Sequence, residues 1–186
     1  MFRISQYMQE LAHPTPLGPK RNPPGPVVIW NLVRRCNLTC KHCYSISADK
    51  DFPGELSTAE VHAVMDDLRT FGVPVLILSG GEPLLRPDIF DIADRSKSLG
   101  FYTALSSNGT LIDEAMCRRV ASADFGYVGI SLDGMAATHD KFRRMQGAFD
   151  KSLHAIRLCR DAGLKVGVRF TLPQDNFHDL PALLQL

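Results

Sequence analysis

From Val27 onward, short and mostly apolar runs alternate with amphipathic helical segments five times. The runs are VVIWNLV (27–33), VPVLIL (73–78), FYTALS (101–106), YVGISL (127–132) and LKVGVRFTL (164–172). Strands buried on both faces read as continuous apolar runs, and parallel strands need helical crossovers. The pattern therefore predicts an α/β fold with a parallel sheet. The helices carry their own punctuation. Ser57-Thr58-Ala59-Glu60 is a capping box ahead of Val61, Val64, Met65 and Leu68, and Gly72 marks the stop. A second helix follows Pro87 over 88–99 and stops at Gly100. A third opens at Asp113 and carries Met116, Cys117, Val120 and Ala121, and a fourth spans 149–162 with Leu153, Ile156 and Cys159. Asp179 is the expected cap of one more helix. An open doubly wound sheet and a (β/α) barrel both fit this order. Five and a half units are too few for an eight-stranded barrel.

Ahead of the alternation the chain reads differently. Residues 1–12 are weakly periodic, as in a short helix. Residues 13–26 hold six of the 12 prolines, which remove backbone donors and favour extended chain. The expected organisation is a helix and proline-rich arm over 1–26, then one folded unit over 27–186. Hydrophobic residues at 45% and charged residues at 22% argue against disorder. A net charge of +1 removes the electrostatic case for nucleic acid or a polybasic membrane contact. No apolar stretch approaches a membrane span, and the start lacks the apolar core of an export signal. A cytoplasmic location is expected. There, five cysteines suggest metal or catalytic use before disulfides.

In both architectures chemistry collects in loops after the C-terminal ends of strands. Those loops are the polar ones here: RRCNLTCKHCY, SGGEPL, SSNGT, SLDG and TLPQDN. Cys36, Cys40 and Cys43 form C-x3-C-x2-C directly after the first strand. At a cysteine frequency of about 0.027, two further cysteines at set offsets arise by chance at ~7 × 10⁻⁴. Three thiolates can hold three irons of a [4Fe–4S] cluster and leave the fourth iron open. Arg34, Arg35 and Lys41 lie in the same loop and are expected to moderate its negative charge. The alternative is zinc, which wants four ligands. With no second C-x2-C, His42, Cys117, Cys159 or a distant histidine would have to complete that site.

Ser79-Gly80-Gly81-Glu82-Pro83 follows the second strand. The glycines are read as letting a ligand approach the backbone and as supplying free N–H donors. Glu82 suits an ammonium group, and Pro83 stiffens the exit. Asn108-Gly109 and Ser131-Leu132-Asp133-Gly134 follow the next two strands, and each alone is ordinary turn chemistry. Their serine and aspartate side chains suit ribose hydroxyls, and Arg143 or Arg144 suits a carboxylate. Cys117 and Cys159 sit on apolar helix faces and read as core thiols. His13, His62 and His154 receive no role, and His139 and His178 are expected on the surface.

CNLTCKHCY, SGGEP, SNGT and SLDG, in this order on successive strand ends, resemble the radical S-adenosylmethionine (SAM) superfamily over residues 27–186. The resemblance implies a partial (β/α)6 barrel, here with about five strands. It implies that Cys36, Cys40 and Cys43 hold a [4Fe–4S] cluster whose fourth iron is chelated by SAM. It implies that Gly80 to Pro83 bind the methionyl amino group and that Tyr44 lies near the adenine. Asn108, Ser131 and Asp133 would line the ribose and methionine, and Arg143 would meet the carboxylate. An electron donor would reduce the cluster, SAM would cleave, and a 5′-deoxyadenosyl radical would abstract hydrogen. The arm and first strand, PTPLGPKRNPPGPVVIWNLVRRCNLTCKHCY, are similar to the tetrapyrrole-modifying branch, above all its heme d1 biosynthesis members, which act on propionates of didecarboxysiroheme. Heme-forming decarboxylases and peptide maturases are the alternative enzymes. A non-catalytic zinc-binding domain is the alternative of another class. The last residues, PALLQL, fall inside an expected amphipathic helix, which predicts a fragment without the sixth strand and the family's C-terminal extension.

Overall fold

In a computed structural model, residues 4–13 and 25–186 are described. Helix α1 is Ile4–Ala12. Most of the proline-rich arm lies outside the described residues. The strands are β1 (Val27–Asn31), β2 (Val75–Ser79), β3 (Tyr102–Ser107), β4 (Tyr127–Ser131) and β5 (Val166–Arg169). All are parallel, in the order β1-β2-β3-β4-β5. A doubly wound sheet reverses its strand order at a switch point. This sheet never reverses, so of the two architectures open to the sequence it has barrel winding. Right-handed crossovers then put every connecting helix on one face.

Those helices are α2 (Thr58–Thr70), α3 (Ile89–Ser98), α4 (Glu114–Ser122) and α6 (Ala148–Asp161). The core lies between them and the sheet. Leu76, Leu78, Leu105, Val128 and Ile130 from the strands meet Val61, Met65, Ile89, Ile92 and Val120 from the helices. Cys117 and Cys159 belong to this core as small hydrophobes. The α2 capping box forms as expected: the Ser57 hydroxyl accepts from Glu60 N–H, and the Glu60 carboxylate accepts from Ser57 N–H. Asp113 likewise accepts from Met116 N–H at 2.8 Å and starts α4.

Three expectations change. VVIWNLV was expected as a fully buried strand, but β1 is an edge strand. Val28 and Trp30 pack against the core while Val27 and Ile29 on its other face stay exposed. A helix absent from the sequence reading, α5 (Ala136–Arg143), follows β4. Asp179 does not cap the helix after it, the short α7 (Leu180–Leu183). Its Oδ2 instead accepts from Met135 N–H at 2.9 Å, at the start of α5. Among the described residues no helix is long and apolar enough to cross a membrane.

Removing the capping hydroxyl in Ser57→Ala exposes the first turn of α2. Chemical denaturation is expected to show a loss of about 1 kcal/mol with an unchanged slope.

Candidate functional site

The cysteine loop runs from the end of β1 across the C-terminal end of the sheet. Two glycines explain how close it comes. A Cβ on Gly80 would sit 2.3 Å from the Val33 carbonyl oxygen, and one on Gly81 would sit 2.5 Å from both the Arg34 and Arg35 carbonyl oxygens. Gly81 N–H donates to Val33 O at 2.6 Å, and Glu82 N–H to Arg35 O at 2.9 Å. The glycines admit the backbone of the cysteine loop, and one part of the sequence reading changes: Gly81 N–H, read as a free donor, is already used there.

Glu82 is also more than an ammonium acceptor. It is completely buried. Oε1 accepts from the Ser107 hydroxyl at 2.9 Å and Leu84 N–H at 3.2 Å, and Oε2 accepts from Asn108 N–H at 2.8 Å. Burial pushes its carboxyl up to about 7, against these hydrogen bonds and the Arg143 charge, which favour ionisation. Pro83 opens a 3₁₀ turn over Pro83–Leu85 that Glu82 caps. One side chain thus joins the loops after β2 and β3.

Asn108 extends the link to the thiols. Its Nδ2 donates to Asn37 Oδ1 at 3.0 Å and lies 3.7 Å from Cys36 Sγ, and its Oδ1 accepts from Thr110. Each cysteine sulfur has its own hydrogen-bond partner. Leu38 N–H points at Cys36 Sγ at 3.4 Å, Arg143 Nη1 at Cys40 Sγ at 3.6 Å, and the Ser45 hydroxyl meets Cys43 Sγ at 3.3 Å. Burial pushes the Cys36 thiol up to about 11 and raises Cys40, the latter partly offset by Arg143. At Cys43 burial also pushes upward, but hydrogen bonds from Ser45 and Ser47 outweigh it and bring the thiol down to about 7.

Arg34, Arg35 and Lys41 do not moderate this loop as expected. Arg35 pairs with Asp49 and Asp51, Lys41 pairs with Asp175, and Arg34 lies over the Phe52 ring. The cation that reaches a sulfur is Arg143, from α5. Its Nη2 also pairs with Asp133 Oδ2 at 2.5 Å. His42 Nε2 stands 3.2 Å from the same oxygen, and its ring packs on Phe142. Asp133 Oδ1 accepts from Thr171 N–H at 3.0 Å. Burial works against this carboxylate, yet His42 and Arg143 hold it below its usual range.

His139, expected on the surface, is buried on α5 and accepts from Asp133 N–H at its Nδ1. Burial, helped by the Arg143 charge, lowers it to about 4, so it stays neutral. Asn176, also buried and missed by the sequence reading, donates to Asp133 O and Thr171 O. Its only signal was its place in TLPQDN at the same sheet end. Ser131 ends β4 half-buried, in register with Arg169. Tyr44 is largely exposed and donates to Asn31 Oδ1 at 3.1 Å. The structure therefore brings Cys36, Glu82, Asn108, Asp133 and Arg143 into one connected end. Tyr44 stands at its rim.

This chain matches the Radical SAM superfamily over residues 30–186. The chain belongs to the radical SAM superfamily. Its relatives include a pre-heme d1 synthase of Dinoroseobacter shibae, 53% identical over all of this chain and 46% of that protein. An Fe-coproporphyrin III synthase of Methanosarcina barkeri is 48% identical over 87% of this chain and 40% of that protein. The chain spans less than half the length of these relatives. Among solved structures, Streptococcus suis SuiB bound to S-adenosylmethionine superposes with a TM-score of 0.72 over 84% of this chain and 36% of that one, at 16% identity. That likeness supports the fold.

Radical SAM enzymes use a [4Fe–4S] cluster and SAM. The donor chemistry here fits such a cluster. Three thiols share one loop, each with a hydrogen-bond partner at its sulfur, the first with buried Asn108 from the loop after β3 and the second with buried Arg143 from α5. Among the described residues no three His, Cys, Asp or Glu side chains close on a single ion. His42, one of the alternative fourth ligands for a zinc site, faces Asp133 instead.

Two outcomes test this geometry. Gly81→Ala forces the two loops apart and is expected to cost more than about 2 kcal/mol in a urea melt. For Glu82, a folded pKa near 7 against an ordinary 4.5 means the folded state holds an extra proton in between. Its contribution to stability is complete below about 4.5 and is lost as pH rises through about 7. Glu82→Gln is expected to abolish that slope in a pH series of melts. It should also destabilise by roughly 1–3 kcal/mol, because an amide donor then faces N–H or O–H donors.

Proposed function

We propose that this chain is the cluster- and SAM-binding part of a radical SAM enzyme of tetrapyrrole biosynthesis, in the heme d1 branch. It would act on propionate side chains of didecarboxysiroheme. The observation that carries the reading is 53% identity across the whole chain to a pre-heme d1 synthase, beside the three-thiol loop and its partners in this chain. Residues 27–186 are the catalytic core unit, preceded in sequence by α1 and a proline-rich stretch. The enzyme works in the cytoplasm with a separate electron donor, and needs neither nucleic acid nor a membrane.

When bound, the cluster and SAM would supply the radical chemistry by which hydrogen is removed from the substrate. The protein's own residues prepare that chemistry. Cys36, Cys40 and Cys43 are the iron ligands, and each must give up its proton at sulfur on binding. Cys43, with the lowest pKa, ionises first. Arg143 and Asn108 then place positive charge and an N–H dipole against the Cys40 and Cys36 sulfurs. Gly80, Gly81, Glu82 and Pro83 set the wall that receives the methionyl amino group. Asn108, Ser131 and Asp133 line the ribose and methionine, Arg143 faces the carboxylate, and Tyr44 covers the adenine. No side chain is assigned as general base, because a cofactor radical replaces proton abstraction.

Anaerobic reconstitution followed by iron, sulfide and zinc analysis tests the reading. About four irons and four sulfides per chain, with 5′-deoxyadenosine formed after reduction with SAM, are expected. One zinc without sulfide overturns it. Cys40→Ala is expected to lose most of the iron while keeping its helical circular dichroism. Unchanged iron content would remove Cys40 from the ligand set.

A further inference from the structure

Two arginines reach the C-terminal end of the sheet, and they are treated differently. Arg143 has a carboxylate partner in Asp133. Arg169, the last residue of β5, has none among the described residues. Its side chain lies flat across the sheet's inner face. Nη1 donates to the Ser106 hydroxyl on β3 at 2.5 Å, spanning β4 on the way. Gly129 clears this path, and Gly167 makes room for Tyr127 beside it. A Cβ on Gly129 would sit 2.4 Å from Arg169 Nε, and one on Gly167 would meet the Tyr127 hydroxyl at 2.0 Å. Tyr127 is the second hydroxyl beside the guanidinium, and Tyr44 stands near it from the cysteine loop.

The remaining edge is the informative one. Nε and Nη2 are buried, and among the described residues only the Tyr127 hydroxyl stands against this edge, without completing a well-aligned hydrogen bond to either atom. These two atoms form one side of the guanidinium, with parallel N–H vectors that match the two oxygens of a carboxylate. A cation taken out of water with only neutral hydroxyls for company carries a desolvation cost that an anion would relieve. Burial accordingly pulls Arg169 below its usual range. Among the described residues no carboxylate stands against these two atoms.

We infer that Arg169, with Tyr127 and Ser106, forms a carboxylate-binding subsite on the inner face of the sheet, and that it receives a carboxyalkyl side chain of the substrate. The substrate half of this statement rests on the tetrapyrrole reading above; the carboxylate half does not. Arg169 starts in register with Ser131 and its fork reaches Ser106 near the end of β3, so a substrate anchored there lies along the inner face that leads to the thiol loop.

The chain, at 20.6 kDa, suits nitrogen-15 correlation spectra. The Arg169 Nε–H signal is assigned by its disappearance in Arg169→Gln and in Arg169→Lys. Titration with sodium propionate is expected to shift this signal selectively, and an unmoved signal overturns the subsite. Coproporphyrin III and its tetramethyl ester then separate the sources of the carboxylate. Both variants are expected to weaken coproporphyrin binding by at least about tenfold and to leave the ester unaffected. Equal effects on acid and ester, or none on either, overturn the substrate assignment. So does a loss of SAM binding by the reconstituted variants with coproporphyrin binding intact, which gives the fork to the cofactor. If propionate shifts Arg169 while the wild-type chain ignores coproporphyrin, the tetrapyrrole reading falls and the carboxylate subsite stands.

Discussion

A carboxylate with no exposure to water, Glu82, holds the functional end of this protein together. Its three accepted hydrogen bonds come from the turn after β2 and from the loop after β3. Its own N–H is donated to the loop after β1. Three separate connections therefore meet at one residue, and the cysteine loop inherits its position from them. Deep burial of a carboxylate is tolerable only when its oxygens are satisfied. The requirement runs both ways. The loops must take up this arrangement to satisfy Glu82, and Glu82 is held in place by loops that have no regular structure of their own.

The second layer of control is the Asp133 network. Asp133 collects His42 from the cysteine loop, Arg143 from α5 and Thr171 N–H from beyond β5. Arg143 in turn touches Cys40 Sγ. Charge at the thiols is thus set by a residue more than a hundred positions away in sequence. The basic residues next to the cysteines are taken up by surface acids or an aromatic ring. Pairs such as Lys41 with Asp175 are half-exposed and worth little. The buried Arg143–Asp133 pair is different, because removing either partner leaves the other charge without compensation.

How much of this was legible follows from how local each cause is. Ser57 with Glu60, and Asp113 with Met116, act within one helical turn, so the caps read directly. The parallel α/β pattern read equally well, since apolar runs and helical periodicity are local. The edge position of β1 did not, because VVIWN is the same string in a central strand and an edge strand. Helix α5 stayed hidden because its start is held by Asp179, far along the chain, and its buried positions include His139 and Arg143. Gly80 and Gly81 were singled out for absence of a side chain, but the loop backbone that uses this space was not foreseen. A ligand and a passing backbone make the same demand on a glycine.

Arg169 shows the same limit most clearly. As one polar residue at the end of a four-residue strand, it carries no pattern that period-two reading can use. Its meaning is made by Gly129 and Gly167, which leave room on the inner face, and by Ser106, which fixes one tip of the fork. Each is unremarkable in its own strand. Parallel registers bring Ser106, Gly129 and Gly167 side by side, and only then does a missing side chain on one strand become space for a charged one from the next. In a barrel-wound sheet the inner face is written across strands, one residue at a time, while the helix-covered face is written along them. That is why the core was readable from the sequence and the inner face around Arg169 was not.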